Sequence, residues 1–256
     1  MKHDATAFPV LDLERLMSLA KASKTQDIRR ILHSPRSEDW VTWNTTRLLQ
    51  RRRTASWWPD LAQLAQAHAV VADPSLPRRT LRAVDLWRLV PSPEQYESAS
   101  RSRMAASNNP AWRERAANPK PVEGATEVDW VLEGEDFVVF IEAKLHSDIS
   151  THTTYDPTRN QIARNIDCVI EEARNLQPCF WMVVRDRRPE YEYMQLIDRY
   201  REDRRELAAA LPHRDPAVLS AMVDGMAIIE WRELLPLLPS APDLRRVVAE
   251  LRRRVA

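Results

Sequence analysis

The chain has 256 residues, 44% of them hydrophobic, and a formal net charge of +1. That length can bury a substantial core, while the near balance of charge announces no nucleic-acid binder. With glycine only at Gly124, Gly134 and Gly225, a Gly-rich phosphate loop and a dinucleotide fingerprint are excluded, and ATP- and NAD-dependent readings lose most of their weight.

No apolar run approaches the length of a membrane span. Leu11-Asp12-Leu13-Glu14-Arg15 near the start is too charged for a signal peptide. A cytoplasmic protein with no membrane partner is expected. Cys168 and Cys179 read as small apolar core residues without a disulfide, and no Cys/His spacing suggests zinc.

Leu13, Leu16, Met17 and Ala20 lie on one helical face and predict a helix over Leu11 to Ala20. Ile28, Ile31 and Leu32 predict a second, short one. Ser37 is a good N-cap for a helix from Glu38 to about Arg52, with Asp39 favouring the dipole in its first turn. Trp57 to Val71 reads as another helix, and Thr80 to Leu89 as a further short one. Pro93 opens a helix over Glu94 to Met104. Ala105 to Glu123 carries Asn108, Asn109, Pro110, Asn118, Pro119 and Pro121. It reads as an irregular connection with a turn of helix around Trp112, and as the boundary between a helical half and a sheet.

Thr126 to Leu132 and Phe137 to Ile141 are strand formers, joined through Glu133-Gly134-Glu135-Asp136. They predict a β-hairpin, with Gly134 supplying a positive φ. A polar loop, Ser147 to Thr158, follows. A helix from Pro157 to about Leu176 buries Ile162, Ile166, Val169, Ile170 and Ala173, and carries Gln161, Arg164 and Asn165 together on an adjoining face. Phe180 to Val184 is a strand, Tyr191 to Leu211 a charged helix, Met226 to Glu230 a last strand, and Asp243 to Val255 a closing amphipathic helix. This order fits an α/β layer fold with a mixed sheet. Most of the nine tryptophans fall on apolar faces and read as core, with Trp57-Trp58 the pair to watch for a surface role. His146 and His152 read as solvated loop histidines. Three arginine clusters stand out: Arg51 to Arg53, Arg185 with Arg187-Arg188, and Arg252 to Arg254.

Strand geometry sets which side chains meet. Residues i and i+2 share a face, so Glu127 projects with Asp129, and Glu142 with Lys144. Ala143 points the other way, with Ile141 and Val139. Three carboxylates and one ammonium end an otherwise apolar hairpin. Buried charges need partners. Two arrangements supply them: an ion pair from Lys144 to Glu142 or Asp129, or a bound cation.

The combination of Asp129, the hairpin, Glu142-Ala143-Lys144 and a helix opening at Gln161 resembles the PD-(D/E)XK nuclease superfamily. The resemblance covers the middle third to half of the chain. Val128 stands where the family carries a proline before its Asp. The resemblance implies a restriction-endonuclease-like α/β core over 121–256, with a central mixed β-sheet flanked by helices. A helical N-terminal part, 1–120, would precede it and pack on it as one compact unit.

It also implies hydrolysis of DNA phosphodiesters with Mg²⁺ or Mn²⁺, in a possible homodimer. Asp129, Glu142 and the Ala143 carbonyl are the expected ligands, and Glu127 a further ligand or an outer partner. Lys144 would sit over the attacking water, as base or charge stabiliser. Gln161 fits the family's polar residue on the following helix. For the family's acid on a preceding helix the candidates are Glu38, Glu97 and Glu114. Glu38 is preferred, since Ser37 to Asn44 resembles the opening of uncharacterised nuclease-like proteins that also carry the Glu127-Val128-Asp129 and Arg159-Asn160-Gln161 segments. Arg159, Arg164 and Asn165 are expected to face nucleic acid. The alternative is a catalytically inactive nuclease-like fold that binds nucleic acid or a protein. A sugar- or nucleotide-directed α/β enzyme is a poor third.

Overall fold

A strand whose successive side chains are all apolar must be covered on both faces. Phe137 to Ile141 is such a run, and every residue of its strand is buried. The computed structural model, which describes residues 8–22, 34–152, 156 and 159–256, makes it the centre of a five-stranded sheet.

In chain order the elements are α1 (Leu13–Ala22), α2 (Glu38–Gln50), α3 (Thr54–His68), β1 (Leu81–Val90), α4 (Glu94–Ala105), α5 (Pro110–Ala117), β2 (Thr126–Gly134) and β3 (Phe137–Lys144). Then come α6 (Gln161–Ala173), β4 (Gln177–Val184), α7 (Glu192–Glu202), α8 (Arg204–Ala210), α9 (Pro216–Asp224), β5 (Ala227–Glu230), α10 (Trp231–Leu234) and α11 (Arg245–Val255). The strands lie in the order β1-β2-β3-β4-β5. The first three are antiparallel, and β4 and β5 run parallel to β3. Among the described residues no helix is long and apolar enough to cross a membrane.

The mixed α/β sheet expected from the sequence is therefore present. Phe137, Val139, Ile141 and Ala143 face one core, shared with Trp40 and Trp43 of α2, Trp57 and Trp58 of α3, and Val247 and Leu251 of α11. Val138 and Phe140 face the other, shared with Ile162, Ile166 and Val169 of α6 and with Leu196 and Ile197 of α7. Trp58 stacks on both Phe137 and Trp181, with centroids 4.9 and 6.1 Å apart.

Four expectations need correction. Thr80 to Leu89 is not a helix: β1 pairs antiparallel with β2 from Leu81 to Val90. The N-terminal part therefore contributes a strand, and the sheet crosses the expected 120/121 boundary. The period-two signal was hidden because β1 breaks it twice, at a register shift between Leu81 and Ala83 and at Trp87, whose φ is 55°. Tyr191 to Leu211 is two helices, split at Asp203, whose side chain caps α8. Gly134 does not have a positive φ. It ends β2, and a Cβ there would collide with the Phe137 ring. Trp57 and Trp58 are buried, so neither has a surface role. The short helix expected around Ile28 lies outside the described residues. Cys168 and Cys179 are buried and free, and burial pushes their thiols up to about 11 and about 12.

Trp58→Ala is expected to remove this stacked contact and leave a cavity against the sheet, lowering the unfolding free energy by about 3–5 kcal/mol. Urea denaturation measures it. A loss under about 1 kcal/mol would contradict the packing described.

Candidate active site

The site forms where β2 leaves β3. Pairing between the two strands ends at Trp130 opposite Ile141. Past that point the Asp129 carboxylate takes over from the backbone, its Oδ2 accepting the Ala143 N–H at 2.8 Å. In an extended strand the N–H and C=O of one residue point to the same side. The Ala143 carbonyl therefore faces the side on which Asp129 lies.

Glu142 projects to the α6 face. Its Oε1 accepts Gln161 Nε2 at 2.6 Å and pairs with Lys144 Nζ at 2.7 Å. Its Oε2 accepts Asn165 Nδ2 at 2.9 Å. Glu142 and Lys144 are buried, and Asp129 is half-buried. Gln161 is positioned by the start of α6. Asn160 caps that helix by accepting the Ala163 N–H, and the Gln161 side-chain oxygen accepts the Ser150 N–H. Asn165 is one turn further on, and its Nδ2 also donates to the Gln161 carbonyl at 3.2 Å.

Electrostatics follow from this crowding. Burial, and then the neighbouring Glu142, push Asp129 well above the usual carboxylate range; Lys144 and the Ala143 N–H only partly offset them. Burial alone would lower Lys144, but Glu142 and Asp129 outweigh it and hold the ammonium above its ordinary value. The first turn of α2 approaches from the other layer. Ser147 Oγ donates to Glu38 Oε1, and Glu38 adds to the field at Lys144. Asp39 adds to the field at Asp129. The stack of Trp43 on Trp87, 5.8 Å between centroids, ties α2 to β1 below this corner.

Asp129, Glu142, Lys144 and Gln161 are thus brought together, with Glu38 at the edge. Glu127 lies two residues back on β2, half-buried and in register with Leu89. Among the described residues no three His, Cys, Asp or Glu side chains are spaced to hold a metal ion. The five expected ligands do not form a ready-made cage. What the corner offers is two carboxylates and a backbone carbonyl.

Two residues expected at a nucleic-acid surface are elsewhere. Arg159 has no exposed surface. It donates to Glu123 at 3.1 Å and Asp167 at 2.6 Å, with its guanidinium 3.8 Å from the Tyr96 ring centre. Asn165 is buried against Glu142, so it holds a site carboxylate instead of facing a ligand's backbone. Arg164 keeps a partly exposed side chain and donates to the Gly124 and Ala125 carbonyls ahead of β2.

Sequence reading missed Asp39 and the link of Asn165 to Glu142. The i, i+4 spacing of Gln161 and Asn165 carried the second signal, since Glu142 can reach both from one strand. Comparison of the chain with known protein families, with curated proteins and with solved structures gives no match.

Asp167 anchors the far side of α6. Although burial opposes it, His213, Arg159 and Arg214 hold its carboxyl down at about 2. A depressed carboxylate adds stability above its unfolded pKa, about 3.9, that is lost as pH falls through the folded value. Asp167→Asn removes the carboxylate that Arg159 and Arg214 share and leaves each with one counter-charge, Glu123 and Glu171. It is expected to cost about 2–3 kcal/mol at pH 7. The difference from wild type should shrink as pH falls from about 4 towards about 2. Denaturant melts at stepped pH measure it, and a difference that stayed constant over that window would contradict the assignment.

Proposed function

We propose that this protein is a metal-dependent nuclease of the PD-(D/E)XK type that hydrolyses DNA phosphodiesters. One observation carries the reading: Asp129 and Glu142 crowd one corner at the end of a hairpin, with the Lys144 ammonium beside them. An ordinary surface ion pair would not keep a second carboxylate at a raised pKa next to the first.

The donor set fits a hard divalent cation. Mg²⁺ prefers oxygen ligands and is commonly held by one or two carboxylates together with substrate phosphate, without a full protein cage. Counting lone pairs gives the same result. Lys144 and Gln161 occupy Glu142 Oε1, while Oε2 takes one donor from Asn165 and retains a free lone pair. Among the described residues Asp129 Oδ1 accepts no hydrogen bond. Asp129 Oδ1, Glu142 Oε2 and the Ala143 carbonyl would hold the ion. When bound, it supplies neutralisation of the attacked phosphodiester and of the leaving oxygen.

The remaining work belongs to side chains. Hydrolysis adds water across one P–O bond and needs no oxidant or second substrate. Lys144, held as an ammonium, orients the water and stabilises charge developing on phosphate oxygen. Gln161 and Asn165 fix the Glu142 carboxylate, so it does not reorganise during the reaction. Lys144 cannot leave Glu142 without leaving a buried carboxylate short of its counter-charge, which keeps the ammonium in place.

Asp129→Ala, Glu142→Ala and Lys144→Ala are each expected to abolish Mg²⁺- or Mn²⁺-dependent cleavage while retaining a cooperative melt. Gln161→Ala and Asn165→Ala should reduce it about 10–100-fold, as outer contacts do. A screen over duplex, nicked, branched and single-stranded DNA measures all five. Retained wild-type activity in any two of the first three variants would reject the site.

A further inference from the structure

Three chain segments leave the core at the corner occupied by Lys144, and each brings a basic or imidazole side chain. β3 and β4 run parallel with Lys144 opposite Val184, so His146 and Arg185 emerge from the same sheet end. Arg185 Nη1 lies 3.2 Å from His146 Nδ1. The third segment is the turn ahead of α2, which carries Arg36.

That turn is held in place from below. Arg254 is buried, lies 4.0 Å from the Trp40 ring centre, and donates to the Ser34 carbonyl at 3.0 Å. Arg185 Nη2 donates to the Ala256 carbonyl at 3.2 Å, tying the end of β4 to the same helix, α11. The end of α11 therefore braces both the turn that carries Arg36 and the end of β4 that carries Arg185.

The two arginines differ from those in the core. Arg159, Arg214 and Arg254 are each paired with a carboxylate. Among the described residues neither Arg36 nor Arg185 has an Asp or Glu partner within ion-pair distance. Arg36 is exposed and Arg185 half-buried. Burial, and then the fields of Arg185, Arg36 and Arg254, press His146 below its ordinary pKa despite Glu38. Because Arg185 donates to Nδ1, the neutral ring carries its proton on Nε2, directed away from that arginine.

We infer that Arg36, Arg185 and His146 form an anionic-backbone clamp that seats a nucleic-acid phosphate beside the one attacked at Lys144. The inference rests on the nuclease reading for the identity of the neighbouring site. Arginine suits the task through its forked donors. A neutral imidazole N–H adds a third donor without further repulsion. His146 lies two residues beyond Lys144, past the end of β3, at most about 7 Å along the chain. The clamp reads backbone charge and not base sequence, so it sets affinity and register for nucleic acid of any sequence.

The test is equilibrium binding of a fluorescent DNA duplex, and of its single strand, by anisotropy without divalent metal over a range of salt. Cleavage by the same proteins is then measured with Mg²⁺ and Mn²⁺. Arg36→Ala and Arg185→Ala are each expected to weaken binding several-fold and to reduce the salt slope by about 1. His146→Ala should weaken binding with little change in slope. Arg82→Ala serves as the control. Arg82 pairs with Glu135 at the hairpin turn, the opposite end of β3 and roughly 25 Å from Lys144, so binding should not change. Wild-type binding by both arginine variants, with cleavage intact, would overturn the clamp and leave the nuclease reading standing. The expected loss of binding without any cleavage would keep the clamp and reject the nuclease. No binding by the wild-type protein would overturn the clamp.

Discussion

The structure depends on how Glu142 is held. A carboxylate buried at a strand end is costly unless every lone pair finds a donor or a cation. Here Lys144 supplies charge from the same strand, and Gln161 and Asn165 supply donors from one face of α6. Asp129 then adds a second negative charge from the neighbouring strand, where pairing between β2 and β3 has stopped. The hairpin, the register of α6 on the sheet and the approach of α2 all converge on a point that holds surplus negative charge inside the protein. Packing alone does not call for that surplus. An apolar residue at either position would bury more cheaply.

Arginine does two different jobs in this chain. Arg159 and Arg214 surround Asp167 in a buried cluster that fixes α6 against the segment before β2. Arg254 supports the turn before α2 through the Ser34 carbonyl. Arg36 and Arg185 have no Asp or Glu partner among the described residues, and Arg185 lies beside His146, two residues past Lys144. A net charge of +1 conceals this sorting. Many arginines are matched to carboxylates, in the interior as at Arg159 and on the surface as at Arg82, and Arg36 and Arg185 are among those that are not.

Much of the fold was legible because its signals are short-range. The hairpin announced itself by two β-branched and aromatic runs around Gly134, and α6 by its apolar stripe at helical spacing. Period-two geometry put Glu142 and Lys144 on one face, and their 2.7 Å contact follows from that. β1 was not legible, because Trp87 and the Leu81/Ala83 shift scramble its alternation and its pairing with β2 is a tertiary choice. Arg159 and Asn165 were misread for a related reason. A polar side chain on a helix looks solvent-facing until the partners that bury it, Asp167 and Glu142, are placed beside it. Asp39 was read only as a helix-dipole residue, since nothing local shows that α2 points its first turn at Asp129.

The proposed nuclease requires Asp129 and Glu142 to share one divalent cation. Calorimetric titration of Mn²⁺ into the wild-type protein and into Asp129→Ala tests that requirement most directly. The expected result is a single saturable site in the wild type that vanishes in the variant, with both proteins folded. A wild-type protein that takes up no ion, or a variant that binds it equally well, would contradict the claim.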